Sequence, residues 1–359
     1  MAPNYRVGAF GFLSLAQLGG PLTDATNLGL KDVVAAIEYV RKHAEHFGGD
    51  PTDITVLGES AGGFLASALM AVPTIRDGVR RFGVFSAGAS RLVPSATAEG
   101  MADRFLTAIG LREHPEQLLD VPADRIPRAQ REVIGTDIGR RNGPTPEALG
   151  VVLDSDLATG VLEQHPAAAV DAGAVRHADL LVSALADEIA AFRAVDPDAF
   201  RPASARALVD EIQRFGVPAV RAEGIVDQYR AHGADLGDAR EHLLTDYIYR
   251  LPVARLATAH HRAGGTAHLL LLGGVDDAPA VHGDDVAALV GRSLPDASEA
   301  VRRRDGAITR IVAAFVRGDP LPWAPVGGEP TAHGVGALEP DATAQYAAVL
   351  RTWDGVPRP

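Results

Sequence analysis

Cysteine is absent from the 359 residues, so disulfides and thiolate metal ligands are excluded, and a reducing compartment fits. Lysine occurs only at Lys31 and Lys42, every other long basic side chain being arginine. With the abundance of alanine, that preference reads as the coding bias of a GC-rich genome and carries no function. Basic runs are lacking too. The formal net charge is -12, and no Lys/Arg cluster beyond Arg302-Arg303-Arg304 could follow a phosphate backbone, so nucleic acid is excluded as an expected partner. No apolar run reaches the length of a membrane span, and the opening Met1-Ala2-Pro3-Asn4-Tyr5-Arg6 is not a basic segment leading into an apolar one. The expectation is a cytoplasmic chain with no membrane partner, secreted only if a preceding segment carries an export signal. No cofactor and no metal are expected.

What is present argues for an α/β architecture. Hydrophobic residues make up 47% of the chain, enough for a substantial core. Apolar residues at Leu30, Val33, Val34, Ile37, Val40, Ala44 and Phe47 keep a helical period, with Thr26 or Asn27 as cap and Gly48-Gly49 as stop. Short apolar runs follow at "ITVLG" (54–58), "RFGVFSAG" (81–88), "ADLLVSAL" (178–185) and "AHLLLL" (267–272). They predict parallel strands, the first buried on both faces. Between them, the polar stretches 98–141 and 202–240 predict cap-like helical excursions. With no fixed-period repeat and no low-complexity linker, residues 1–359 are expected to form one domain.

The first of these strands runs into Gly58-Glu59-Ser60-Ala61-Gly62 and then a stretch of small and apolar residues. In a glycine-rich chain this pattern arises by chance, and a loop serine explains it as it stands. The alternative is a nucleophile elbow, a tight strand-to-helix turn that needs small residues two before and two after the serine. That alternative also demands a base, an acid and oxyanion donors.

The sixteen residues Phe47 to Gly62, "FGGDPTDITVLGESAG", resemble the active-serine signature of type-B carboxylesterases, the α/β-hydrolases that include bacterial esterases and cholinesterases. "NYRVGAFGF" (4–12) and "NLGLKD" (27–32) are similar to segments that precede the elbow in that family. Asp154, Thr245-Asp246-Tyr247 and the region of Trp323 also sit where the family has comparable residues. The resemblance implies an α/β-hydrolase fold with a mostly parallel central sheet flanked by helices. It covers most of the chain, thinly in the two cap-like stretches.

Triad order in such folds is Ser, then Asp or Glu, then His. Glu188 stands where the family places its acid, with Ile189 replacing the family's glycine. Read without the family, Asp187 and Glu188 are better taken as a solvated helix start, where carboxylates favour the dipole. His282, in "VHGDD" after the "AHLLLL" strand, is similar to the family's catalytic-histidine loop, and its neighbours Asp284 and Asp285 need not touch the ring. His260 and His261 read as surface residues of a helix end. His43 and His46 share a helix face without a third ligand.

The resemblance implies Ser60 as nucleophile, His282 as general base and Glu188 as the acid that orients it. It implies Ala61 N–H as an oxyanion donor beside Gly62, Glu59 at the pocket floor favouring neutral or cationic substrates, and Ser86 supporting the acid from behind. A His-Gly-Gly-type oxyanion loop does not precede Asn4, so the expectation is a chain that is N-terminally incomplete relative to the family, with "ITVLG" left as an unpaired edge. The expected function is serine ester hydrolysis of small carboxylic esters through an acyl-enzyme. The alternative is a truncated, weakly active or non-catalytic binding protein of the same fold. A lactone or amide substrate stays open.

Overall fold

The computed structural model describes residues 1–357 apart from 158, 163 and 339. Five strands, β1 (Ile54–Glu59), β2 (Val79–Phe85), β3 (Asp179–Leu185), β4 (Ala267–Leu272) and β5 (Ala332–Val335), form one sheet in that spatial order. Every pairing is parallel. The α/β-hydrolase architecture expected from the sequence is thus present, with the four foreseen strands and one more. "AHGV" of β5 is short and interrupted by a glycine, so it carried no strand signal.

Side chains alternate across the pleat as a strand requires. Val84, Leu180, Val182, Leu269 and Leu271 face the larger core cluster, whereas Phe85, Leu181, Leu270 and Leu272 face a smaller one built on Ile308 and Phe315. The large cluster includes Leu256 and Ala257 of the helix Leu251–Arg262; the small one is closed by the helix Glu299–Arg317. β3 and β4 are covered on both faces, as parallel sheets require. β1 is not. It pairs with β2 alone among the described residues, and Leu57 is 40% exposed, which corrects the expectation of burial on both faces. The edge position is the one expected of "ITVLG" from the sequence, and only the burial of both faces is not met.

The helix predicted after Asn27 runs from Leu28 to His43 and continues as a 3₁₀ turn to Phe47, where Gly48 ends it at φ +73°. Arg41, Lys42 and His43 occupy its last turn, where the dipole favours cations. Asn27 does not cap it through its side chain. The Asn27 amide instead donates to Val152 O at 2.7 Å and Asp154 Oδ2 at 2.8 Å, and its Oδ1 accepts from Val152 N at 2.9 Å. Asp154 Oδ1 in turn accepts from Leu162 N at 2.7 Å. This buried polar clamp fastens the start of the helix to the segment that returns to β3.

The stretch 98–141 holds most of the helix Ser95–Ile109 and the helix Arg125–Val133, and 202–240 holds Ala205–Arg214, Ala219–Arg230 and the start of Leu236–Thr245. After Thr245 the chain winds as a wider π turn, Asp246–Arg250, before resuming as Leu251–Arg262. There Asp246 accepts from Tyr229 Oη at 2.6 Å and from Arg250 Nη1 at 3.0 Å, and Trp353 Nε1 donates to Tyr229 Oη at 2.8 Å.

Candidate active site

β1 ends at Glu59, and the helix Ala61–Leu69 starts two residues later. Ser60 makes that turn with φ +51° and ψ -119°, a conformation a non-glycine residue rarely adopts, costing about 1–3 kcal/mol. The surrounding fold holds it there. Ser60 N donates to Phe85 O at 3.0 Å, and Phe64 N donates to Ser60 O at 3.0 Å. A Cβ on Gly58 would lie 2.1 Å from Gly62 O, and one on Gly63 would lie 2.6 Å from Ala87 Cβ. A Cβ on Gly62 would meet nothing within 4 Å. The turn therefore needs Gly58 and Gly63 for lack of bulk, while Gly62 contributes its backbone.

Glu188 follows the carboxyl end of β3, and His282 lies in the loop after β4. Parallel strands open their crevice at that end, so three separate crossovers deliver three side chains to one place. His282 Nε2 is 2.7 Å from Ser60 Oγ, and its Nδ1 is 2.6 Å from Glu188 Oε2. Glu188 is fully buried, and its second oxygen accepts from Leu185 N at 2.9 Å. Ile189 has φ -85°, which any residue adopts, so the missing family glycine leaves the turn intact. The ring of His282 packs between Tyr249, at 4.9 Å, and Phe192, at 5.6 Å.

Carboxylates crowd this imidazole. Glu59 Oε1 lies 3.8 Å from Nε2. Burial alone would lower the His282 pKa, but the hydrogen bond and charge of Glu188, joined by Glu59 and Asp285, outweigh it and raise the pKa above its ordinary value. Glu59 is itself raised, chiefly by burial, with Glu188 adding to the shift and His282 opposing it. Asp285 is 1% exposed, and neither of its carboxylate oxygens has a hydrogen-bond partner among the described residues. Burial first, then the charges of Glu59 and Glu188, push it up to about 7. Sequence reasoning passed over Asp285, because an Asp-Asp pair after His-Gly carries no signal of which carboxylate turns inward.

Ser86, at the end of β2, also has positive φ, and its buried Oγ makes no hydrogen bond among the described residues. The support expected of it for Glu188 is therefore not a direct hydrogen bond. His260 is 1% exposed and bonds Ala178 O at 3.0 Å, correcting its expected surface position. No group of three or more metal-ligating side chains occurs among the described residues. None of their helices is long and apolar enough to cross a membrane.

A cavity of about 680 Å³ opens over Ser60, Ala61 and His282, walled by Phe64, Phe192 and Tyr249. Ala61 follows Ser60, lines the cavity and begins its helix, so its N–H has no partner within the helix. A hydroxyl on a base, a base on a buried acid, and a free amide next to the hydroxyl are the parts acyl transfer needs.

Comparison with known proteins agrees. A family model described as "Carboxylesterase family" matches residues 1–332. Para-nitrobenzyl esterase of Bacillus subtilis (strain 168) is 30% identical over 257 residues, 71% of this chain and 49% of that protein. Juvenile hormone esterase of Heliothis virescens is 28% identical over 206 residues, 53% of this chain and 34% of that protein. A solved Geobacillus stearothermophilus carboxylesterase superposes with a TM-score of 0.80 at 26% identity, covering 96% of this chain and 74% of that one. The chain thus spans about half or less of the length of these two curated relatives.

Proposed function

The chain belongs to the carboxylesterase family, and from that premise we propose that it hydrolyses small carboxylic esters through an acyl-enzyme on Ser60. The observation that carries this reading is the relay of 2.7 Å and 2.6 Å that links Ser60, His282 and Glu188.

Ser60 Oγ attacks the ester carbonyl carbon while His282 Nε2 takes its proton. Glu188 accepts from Nδ1, which leaves Nε2 free as the acceptor and favours the imidazolium that forms. The carbonyl oxygen, now an anion, receives the Ala61 N–H at the head of its helix. Collapse of the tetrahedral intermediate breaks the bond to the alcohol, which leaves with the proton from His282. Water then enters, loses a proton to the same nitrogen, attacks the acyl carbon and releases the acid and the serine. Tyr249 and Phe192 against the ring restrict its motion between these steps.

The test is release of p-nitrophenol from p-nitrophenyl acetate by the purified chain, with covalent labelling by a fluorophosphonate in parallel. Ser60→Ala is expected to abolish labelling and to lower turnover by about 10³-fold or more. Equal turnover in variant and parent rejects the reading.

A further inference from the structure

The wall of the cavity over Ser60 includes three arginines, Arg91, Arg131 and Arg141, and no carboxylate among its lining residues. Glu59, the acid expected at the pocket floor, is not part of that wall and instead faces the imidazole. Elsewhere in the molecule, buried arginine is matched to acid. Arg240 lies 2.7 Å from both Glu211 and Asp137, Arg250 lies 3.0 Å from Asp246, and Arg304 lies 3.1 Å from Asp305. Arg141 breaks the pattern. Its Nε is buried without a hydrogen-bond partner, and the guanidinium forms no hydrogen bond or ion pair among the described residues.

The three arginines reach the cavity from different directions. Arg91 comes from the loop after β2 and lies over the Phe64 ring at 4.9 Å. Arg131 stands in the last turn of the helix Arg125–Val133. Arg141 follows in the irregular segment beyond that helix. Their charge is felt at the catalytic end of the cavity: burial holds the Tyr249 phenol far above its ordinary range with help from Glu188, and Arg91 and Arg141 oppose that rise. In a chain of net charge -12, three arginines with no carboxylate among the lining residues are a local departure from the overall balance.

We propose that the ester cleaved at Ser60 carries a free carboxylate away from the scissile bond, and that Arg141 binds it, with Arg91 and Arg131 completing the cationic wall. The proposal rests on the esterase reading above and adds a substrate class to it. A guanidinium offers paired N–H donors in the plane of a carboxylate, which satisfies both charges and fixes direction. A half-ester of a short dicarboxylic acid fits that requirement. Its acyl carbon would lie at Ser60 and its free carboxylate on the arginine wall.

The test compares mono-p-nitrophenyl glutarate with its methyl-capped neutral analogue, methyl p-nitrophenyl glutarate, on the full chain. The half-ester is expected to be hydrolysed with kcat/KM about tenfold or more above the capped ester, a preference that shrinks with added salt. In Arg141→Gln that ratio is expected to fall about tenfold. A parent ratio at or below one, or a ratio unchanged in Arg141→Gln, overturns the proposal while Ser60-dependent hydrolysis of the capped ester keeps the esterase reading. Should Arg141→Gln fail to fold, Arg131→Gln, at an exposed position, is expected to lower the ratio in the same sense, and an unchanged ratio there counts against the proposal. If neither ester is hydrolysed, the esterase reading falls, and calorimetric titration with glutarate decides the carboxylate site by itself. Binding that Arg141→Gln weakens supports it, and absence of binding overturns it.

Discussion

Glu59 approaches His282 Nε2 to 3.8 Å, on the same nitrogen that faces Ser60 Oγ at 2.7 Å. This carboxylate favours the protonated ring, which cannot act as a base. Hydrolysis needs neutral imidazole, so activity is lost as pH falls through a His282 pKa that stands above its ordinary value. Glu59→Gln removes one charge that raises it. The acid limb of the kcat/KM profile is expected to move to lower pH in that variant, and a limb that stays or moves up contradicts the electrostatic account.

Asp285 gives a pH dependence of stability instead. Its carboxyl rises from 3.8 to about 7 on folding. The fold therefore favours the neutral acid, a contribution fully present below pH 3.8 and lost as pH rises through about 7. Asp285→Asn keeps the shape and removes the ionisation. Its stability relative to the parent is expected to climb between pH 4 and pH 8, by at most about 4 kcal/mol. Parallel stability curves in urea across that range would contradict this.

Gly58 and Gly62 frame Ser60 and look equivalent in the sequence. Gly58→Ala would set a methyl group 2.1 Å from the Gly62 carbonyl oxygen, whereas a methyl group at Gly62 meets nothing within 4 Å. Chemical denaturation is expected to show Gly58→Ala destabilised by about 3 kcal/mol or more. Gly62→Ala, inside the first turn of a helix, is expected to be neutral or more stable by up to about 1 kcal/mol. Equal effects would mean that the elbow relaxes in a way the geometry does not allow.

Asn27 is 2% exposed and spends its side chain on Val152 and Asp154. Asn27→Ala would leave a backbone N–H, a backbone carbonyl and a carboxylate oxygen without that partner, at φ +48° where alanine is strained. The expected loss is about 3 kcal/mol, measured by urea unfolding. A loss under about 1 kcal/mol would show that water replaces the amide at that position.

Much of this is legible in the sequence. The strands β1 to β4 could be read because each holds a short, mainly apolar run, and the elbow because sixteen adjacent residues follow one pattern. Glu188 and His282 could be sought by chain order, since parallel strands add their loops to one crevice in sequence. Four things could not be read. β5 is too short to signal a strand. The role of Asn27 depends on a partner 125 residues away. Asp285 turns inward, and Arg141 faces the cavity from a stretch that sequence alone assigned to a polar cap. In each case the local residues were compatible with either outcome, and contacts remote along the chain decided it.

The hydrogen bonds of His282 bridge 222 residues to Ser60 and 94 to Glu188. Closing such large loops is slow, because entropy must be surrendered before the contacts return any of it. During refolding, far-ultraviolet ellipticity should return well before the serine becomes reactive. A fluorophosphonate added at timed intervals would therefore report the last event of folding, the moment at which distant parts of the polymer finally register.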